Sequence, residues 1–288
     1  MANPDNYLLP LEDGLMKRTS QGYARDKLYA VTAYVTMARV SMNPKGWYAF
    51  NYIDLQAGPG KNQIGSDILL GSPLIALKIN PPFDHYWFNE LGQEEHGALQ
   101  ERISVSPYKD RVHLQQADVN VAVDEVVAAI RRMDQEARSQ GKWSTFNVAF
   151  LDPEGLEIHW ETVEKLARMN RMDLIINFST SGIIRNLHQD TVIDRYFGNH
   201  MWKKTVTSTD PLQRRRQFIN TYRDQLKPFR YYTNVDEDLG YHDIAMRNSK
   251  NAEVYSLVFA SKHKVGDDFW QKVNAEVKRL RSGSNLLL

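Results

Sequence analysis

The chain has no cysteine in 288 residues. Disulfides, thiolate-bound zinc, iron–sulfur clusters and thiol nucleophiles are therefore excluded. Net charge is also nearly absent: 36 Lys and Arg stand against 35 acids, a balance of +1. Such a chain has no overall attraction to nucleic acid or an anionic membrane, so any contact of that kind needs a local patch. No apolar run approaches the roughly 20 residues of a membrane-spanning helix. The opening MANPDNYLLPLEDG is acidic and lacks a basic segment followed by an apolar one, which leads to the expectation of a cytoplasmic protein without a signal peptide and without membrane attachment. What is plentiful is core material, with 42% hydrophobic residues, six Trp, fourteen Tyr and eleven Phe.

Apolar periodicity predicts a helix over 20–41, followed by strands at 47–55, 83–90, 112–117, 146–151 and 173–179, separated by helical patterns at 72–79, 93–103, 119–138 and 160–169. Strands alternating with helices of this length imply βαβ units and a mostly parallel sheet with helices on both faces. The expected fold is therefore α/β and Rossmann-like, with an antiparallel late strand at 254–261. Further strands are expected at 229–235 and 241–247, and a closing helix at 267–280. The expected organisation is an N-terminal lead-in, irregular over 1–19, and helix (1–42), a cofactor-binding core (43–182), a helical basic insertion (183–240) and closing strands and helix (241–288).

The most informative stretch is Asp54-Leu55-Gln56-Ala57-Gly58-Pro59-Gly60, a small-residue turn directly after the first long strand. Glycines there allow close backbone approach to a ligand, and open parallel sheets bind ligands beyond the carboxyl ends of their strands. The turn is neither the dinucleotide fingerprint nor a P-loop. Glu90, Asp118 and Asp152 close the next three strands, so four successive strand ends carry an acid. Each alone also suits a turn or a helix cap, but together they suit an adenosine-type ligand. No two histidines share the close helical spacing of a metal site, and no metal is expected.

This arrangement looks like that of class I S-adenosylmethionine-dependent methyltransferases. The resemblance implies that Gly58 and Gly60 lie against the cofactor's amino-acid part, that Glu90 holds the ribose and that Asp118 reads the adenine amine; Asp54, Ala57 and Asp152 are further candidates for binding the cofactor. The turn is also similar to the first motif of DNA cytosine-C5 methyltransferases, but those need a cysteine. Amino-methyltransferases of bases carry Asp/Asn-Pro-Pro and then an aromatic residue, whereas here Asp152-Pro153 continues with Glu154-Gly155. A resemblance over most of the chain is to the three-Cys-motif partner (TcmP) proteins, through IDLQAGPGKN, GSPLIAL, FLDPEGL, DLIINFSTSGIIRN, AMRNSKN and VYSLVFASKHKVGDDFW. That family usually has an aromatic residue where this chain has Glu154. The resemblance implies a methyltransferase-like fold, S-adenosylmethionine as cofactor, and a radical-S-adenosylmethionine enzyme carrying the three cysteines as a partner.

Two functions follow as expectations: methyl transfer to an acceptor such as nucleic acid, or a non-catalytic partner role. Asp152 and Glu154 are the candidates for positioning or deprotonating an acceptor. Residues 201–232 hold eight cations against two acids. Lys203, Lys204, Arg214, Arg215 and Arg216 are its candidate contacts to nucleic acid or a protein. Trp202, Phe218, Tyr222, Phe229, Tyr231 and Tyr232 lie between the charges. Such interleaving suits base stacking, or equally a helix with a solvated cationic face and buried rings.

Overall fold

A computed structural model describes residues 6–232 and 243–282. Seven strands form the main sheet: β2 (Phe50–Asp54), β5 (His85–Asn89), β6 (Val112–Gln115), β7 (Phe146–Leu151), β8 (Met172–Phe178), β9 (Ile244–Arg247) and β10 (Glu253–Ala260). Their order is β6-β5-β2-β7-β8-β10-β9. The first five run parallel, and β10 lies antiparallel to both β8 and β9. Every residue of β2, β7 and β8 is buried, as expected of parallel strands covered on both faces. The chain winds outward from β2 to β5 and β6, then crosses to β7 and β8 on the other side. The switch point lies between β2 and β7. This is the doubly wound, Rossmann-like fold the sequence pattern implies.

Helices α1 (Tyr23–Met42), α2 (Ser72–Lys78), α3 (Gln93–Ser104) and α10 (Lys264–Arg281) cover one face, and α4 (Val119–Ser139) and α5 (Trp160–Ala167) the other. In α4 the buried side chains Val119, Val123, Val126, Val127, Ile130 and Ala137 form the apolar stripe that makes the segment a surface helix. α6 (Thr180–Arg185), α7 (Asp190–Phe197), α8 (Trp202–Thr205) and α9 (Pro211–Asp224) extend the second face. Among the described residues no helix is long and apolar enough to cross a membrane.

Three expectations change. The lead-in is not wholly irregular: β1 (Arg18–Thr19) pairs in parallel with β3 (Lys61–Ile64), which forms a hairpin with β4 (Asp67–Leu70). The β3–β4 hairpin of this small second sheet follows the glycine turn directly, and its short, half-polar strands carry no regular apolar alternation that would reveal them. Phe229–Tyr232 is not a strand, because Lys227–Phe229 forms a 3-10 turn closed by Arg230 in the left-handed region. Residues 233–235 of that expected strand lie outside the described residues. The next strand begins at Ile244, and residues 241–242 likewise lie outside.

A buried ionic cluster fastens the lead-in. Asp13, Lys61 and Arg102 have side chains with no solvent exposure, and Asp13 contacts Lys61 at 2.7 Å and Arg102 at 2.8 Å. The excess positive charge is shared by backbone carbonyls: Lys61 donates to Asn6 and Leu11, and Arg102 to Met16 and Pro59. Burial pushes the Asp13 carboxyl up, but hydrogen bonds from Arg102 and Lys61 outweigh it and hold the pKa at about 2. Asp13→Ala leaves two cations buried without an anion, a loss of about 3–5 kcal/mol by analogy with broken buried pairs. Denaturant unfolding at neutral pH measures it. Because the folded pKa is depressed, this stabilisation is complete above the unfolded value of 3.8 and fades as pH falls towards 2. The difference between wild type and variant therefore shrinks across that window.

Candidate active site

The glycine turn joins β2 to β3 at the switch point. Gly58 and Gly60 have φ of +63° and +91°, the left-handed region where a Cβ is costly. A Cβ on Gly60 would sit 3.1–3.3 Å from Leu99 and Leu74, so this glycine serves the packing of α2 and α3 against the turn. A Cβ on Gly58 would instead meet the Arg18 guanidinium at 3.3 Å. Gly58 is the position where main chain faces the crevice.

Three strand ends are laced together by one side chain. Asn89, buried at the end of β5, donates to the Leu55 and Ala117 carbonyls at 2.9 and 3.0 Å and accepts from the Ala117 amide at 3.1 Å. Glu90, next in sequence, accepts from the Gly58 amide at 2.8 Å and the Gly92 amide at 3.0 Å. Asp118 caps α4, its Oδ1 accepting from the Asn120 amide at 2.8 Å, and also lines the crevice. Asp152, past the end of β7, receives the Lys27 ammonium on both oxygens at 2.6 and 2.7 Å and the Asn177 amide at 2.8 Å.

The crevice has two parts. A cavity of about 340 Å³ is lined by Glu90, Glu95, Asp118, Asp152, Glu154 and Glu157, six carboxylates, with Arg18 the one cation among its lining residues. A narrower cleft of about 30 Å³ runs over Ala57, Gly58, Gly60 and Ser72 to Lys27. Arg18, Gln56 and Asp152 line both. The Arg18 guanidinium lies 3.6 Å from Glu90 and 3.5 Å from Glu154, at the border of the two parts. Among the described residues no group of three or more His, Asp or Glu is placed to hold a metal.

The structure thus brings Ala57, Gly58, Gly60, Glu90, Asp118, Asp152 and Glu154 to one crevice, and corrects the expectation for Asp54. Its side chain has no solvent exposure and lines neither part, because it ends the central strand beneath the turn. Gln56 stands at the surface in its place. The Asp54 oxygens lack a hydrogen bond of good geometry. Burial pushes its pKa up to about 7, with Ser72 and Gln56 lowering it only in part. Arg18, Lys27 and Asn89 escaped the sequence reading. Arg18 and Lys27 lie far from the strand ends in sequence, and no local pattern pairs them with acids 72 and 125 residues away. Asn89 carried one available signal, a short amide side chain beside the acid at a strand end.

The basic segment divides. Trp202, Phe218, Tyr222 and Tyr231 are buried in one hydrophobic cluster, and the first three pack ring to ring with Trp160, Phe178 or Phe197. Burying such a ring gains about 1.5–3 kcal/mol, as much as the roughly 1–3 kcal/mol of stacking on a base, and one ring cannot do both. The stacking half of the nucleic-acid expectation is therefore not met by these four rings. Lys203 pairs with Asp190, Arg214 lies over Phe218 at 6.0 Å, and Arg214 and Arg215 are only partly exposed while Lys204 and Arg216 face solvent.

No protein-family model matches the chain, and no curated protein matches it. Several solved structures are similar in shape. An O-methyltransferase from Bacillus cereus in complex with SAH is 13% identical, with 83% of this chain and 81% of that one covered and a TM-score of 0.43. The O-methyltransferase TomG from Streptomyces achromogenes, in complex with SAM, is 10% identical over 90% and 94%, with a TM-score of 0.43. Protein LPL1258 from Legionella pneumophila is 10% identical over 90% and 93%, with a TM-score of 0.46.

The raised Asp54 carboxyl gives a pH test. With a folded pKa near 7 against 3.8 unfolded, the folded state keeps a proton that the unfolded state releases, so stability falls as pH rises from about 4 to 7. Asp54→Asn removes that decline. Its stability relative to wild type should rise across this window by up to about 4 kcal/mol, on the order of 1.4 kcal/mol per pKa unit. Equal pH profiles in urea unfolding would show that Asp54 ionises freely.

Proposed function

We propose that the chain is an S-adenosylmethionine-dependent methyltransferase, allied to the three-Cys-motif partner proteins its motifs resemble. One observation carries the reading: a cavity walled by six carboxylates and one guanidinium adjoins the cleft over the glycine turn, with Arg18, Gln56 and Asp152 shared between them at the carboxyl edge of the sheet. A neutral ligand gains nothing from that charge, whereas a sulfonium with an ammonium group does. The residues fit such a group. Glu90, already turned to the Gly58 amide, would hold the ribose hydroxyls, and Asp118 the adenine amine. The main chain at Ala57–Gly60 would receive the amino-acid part, and Arg18 its carboxylate. The bound cofactor supplies an electrophilic methyl group. The chain's own part would be to hold the acceptor in line and to accept its proton, and Asp152 and Glu154, which both line the crevice, are the carboxylates proposed for it.

Calorimetry at low salt tests the cofactor. S-adenosylmethionine should bind more tightly than the uncharged thioether S-adenosylhomocysteine, and Glu90→Ala should weaken both about tenfold or more, the effect of losing charge-assisted hydrogen bonds. No binding at millimolar cofactor would overturn the reading.

One observation favours the rival, a non-catalytic partner of a radical-S-adenosylmethionine enzyme: both Asp152 oxygens are held by Lys27, so the carboxylate is engaged. Transfer of labelled methyl to RNA, DNA and extract protein separates the two. For an enzyme, Asp152→Asn should cut transfer about a hundredfold or more, within the range for a positioned acid–base group, while cofactor affinity changes little. Cofactor binding by the wild type without transfer to any acceptor supports the partner role.

A further inference from the structure

A second cavity, of about 160 Å³, opens at the opposite edge of the sheet. Phe146 and Met172, which begin β7 and β8, line it together with Ser261 just past β10, which places it beneath the sheet, away from Asp152. Its walls are aromatic, with Trp47, Trp143, Phe146 and Phe269 around it. Trp47 meets Trp143 edge-on at 5.2 Å and Phe146 at 5.5 Å, and Trp143, 53% exposed, forms the rim of the cavity.

Three cations, Lys45, Arg171 and Lys262, also line this cavity. None has a carboxylate within 4 Å among the described residues, although eighteen ion pairs occur elsewhere among them. Arg171 lies 5.8 Å from the Trp47 ring centre. Lys262 donates to the Ala167 and Met169 carbonyls at 2.7 Å, and burial, with Arg230 and Arg171 nearby, lowers its pKa to about 8. His263 is engaged as the cap of α10, its Nδ1 accepting from the Val265 amide. The single acid, Asp173, is buried and receives the Tyr34 hydroxyl at 2.6 Å. An anion entering this cavity would be repelled from that acid and drawn to the cations, so it would enter ring first.

We propose that this cavity is a binding site for a small monocyclic aromatic carboxylate, with its ring between Trp47, Phe146 and Phe269 and its carboxylate at Arg171. Size limits the class: a cavity near 150 Å³ holds one benzene, so one ring with a short acidic substituent fits and a nucleotide does not. The site is independent of the acidic crevice and of the methyltransferase reading.

Calorimetry with benzoate and phenylacetate tests it on the full chain, with benzamide as the neutral counterpart. One carboxylate should bind per chain, and benzamide should bind about tenfold more weakly or worse, the scale of one charge-assisted hydrogen bond. Arg171→Gln, at an exposed position, should reduce benzoate to the level of benzamide without changing the thermal midpoint. Trp143→Ala should weaken both probes alike. Saturating S-adenosylhomocysteine should leave benzoate binding unchanged. Absence of saturable benzoate binding at roughly 10 mM, the weak end of specific small-ligand affinity, overturns the proposal. So does equal affinity for benzamide, no effect of Arg171→Gln, or displacement by S-adenosylhomocysteine.

Discussion

The crevice depends on the buried contact of Asp13 with Lys61 and Arg102. Lys61 belongs to β3 immediately after the glycine turn, Arg102 to α3, and Asp13 to the lead-in, so one carboxylate joins three segments that share no local pattern. Arg102 also donates to the Pro59 carbonyl within the turn. The shape of the turn and the path of the lead-in are thereby set together. Five residues after Asp13 the chain pairs as β1 with β3, and Arg18 comes to rest against Gly58. Without that fastening, nothing in the short β1 pairing would hold a guanidinium over the crevice, since two residues of strand supply few hydrogen bonds against the entropy of ordering the segment.

Charge in the crevice is unevenly compensated. Lys27 neutralises Asp152, with side-chain exposures of 13% and 14%, whereas Arg18 is shared at 3.5–3.6 Å between Glu90 and Glu154. The first contact is a short bidentate ion pair in a shielded place. The second is longer in both halves, and in its Glu154 half, where that carboxylate is 71% exposed, screening leaves an ion pair worth about 0–1 kcal/mol. Arg18 is therefore the cheaper of the two cations to displace or redirect, and Lys27 the one that fixes a carboxylate. Aromatic rings stand beside Glu154. Tyr255 of β10 donates to the Glu154 carbonyl at 2.8 Å and packs with Tyr23 of α1 at 5.8 Å.

Sheet, helices and strand-end acids were legible because each rests on local periodicity or on a residue at an element's end. β7 falls at 146–151 as expected, and Glu90, Asp118 and Asp152 do meet at one edge. Asp54 misled because a strand's last residue can point beneath a turn as readily as into a crevice, and in a fully buried strand no polar alternation distinguishes the two. The β3–β4 hairpin was invisible because its sequence, KNQIGSDILL, is half polar and its partner is a two-residue strand. The rings of the basic segment were legible only as a choice between stacking surface and core, and the core took four of them, since burying a ring needs no partner molecule.

Helix α1 shows how the lead-in reaches both ends of the sheet. Lys27 near its start holds Asp152, past the carboxyl end of β7, and Tyr34, seven residues on, holds Asp173 near the start of β8. Seven helical residues rise about 10 Å. Asp173 pairs with Val148 across the sheet, and the four residues from there to Asp152 span about 13 Å of strand. The two rises nearly agree, so a helix lying along the strands can set one polar side chain on each carboxylate. Both carboxylates are well enclosed, so sliding α1 by one turn would strand two polar groups at once. The register of α1 is thus set by polar contacts at two sheet edges as well as by its apolar stripe. The same helix lines the narrow cleft over the glycine turn with its first turns and the aromatic cavity with its last ones.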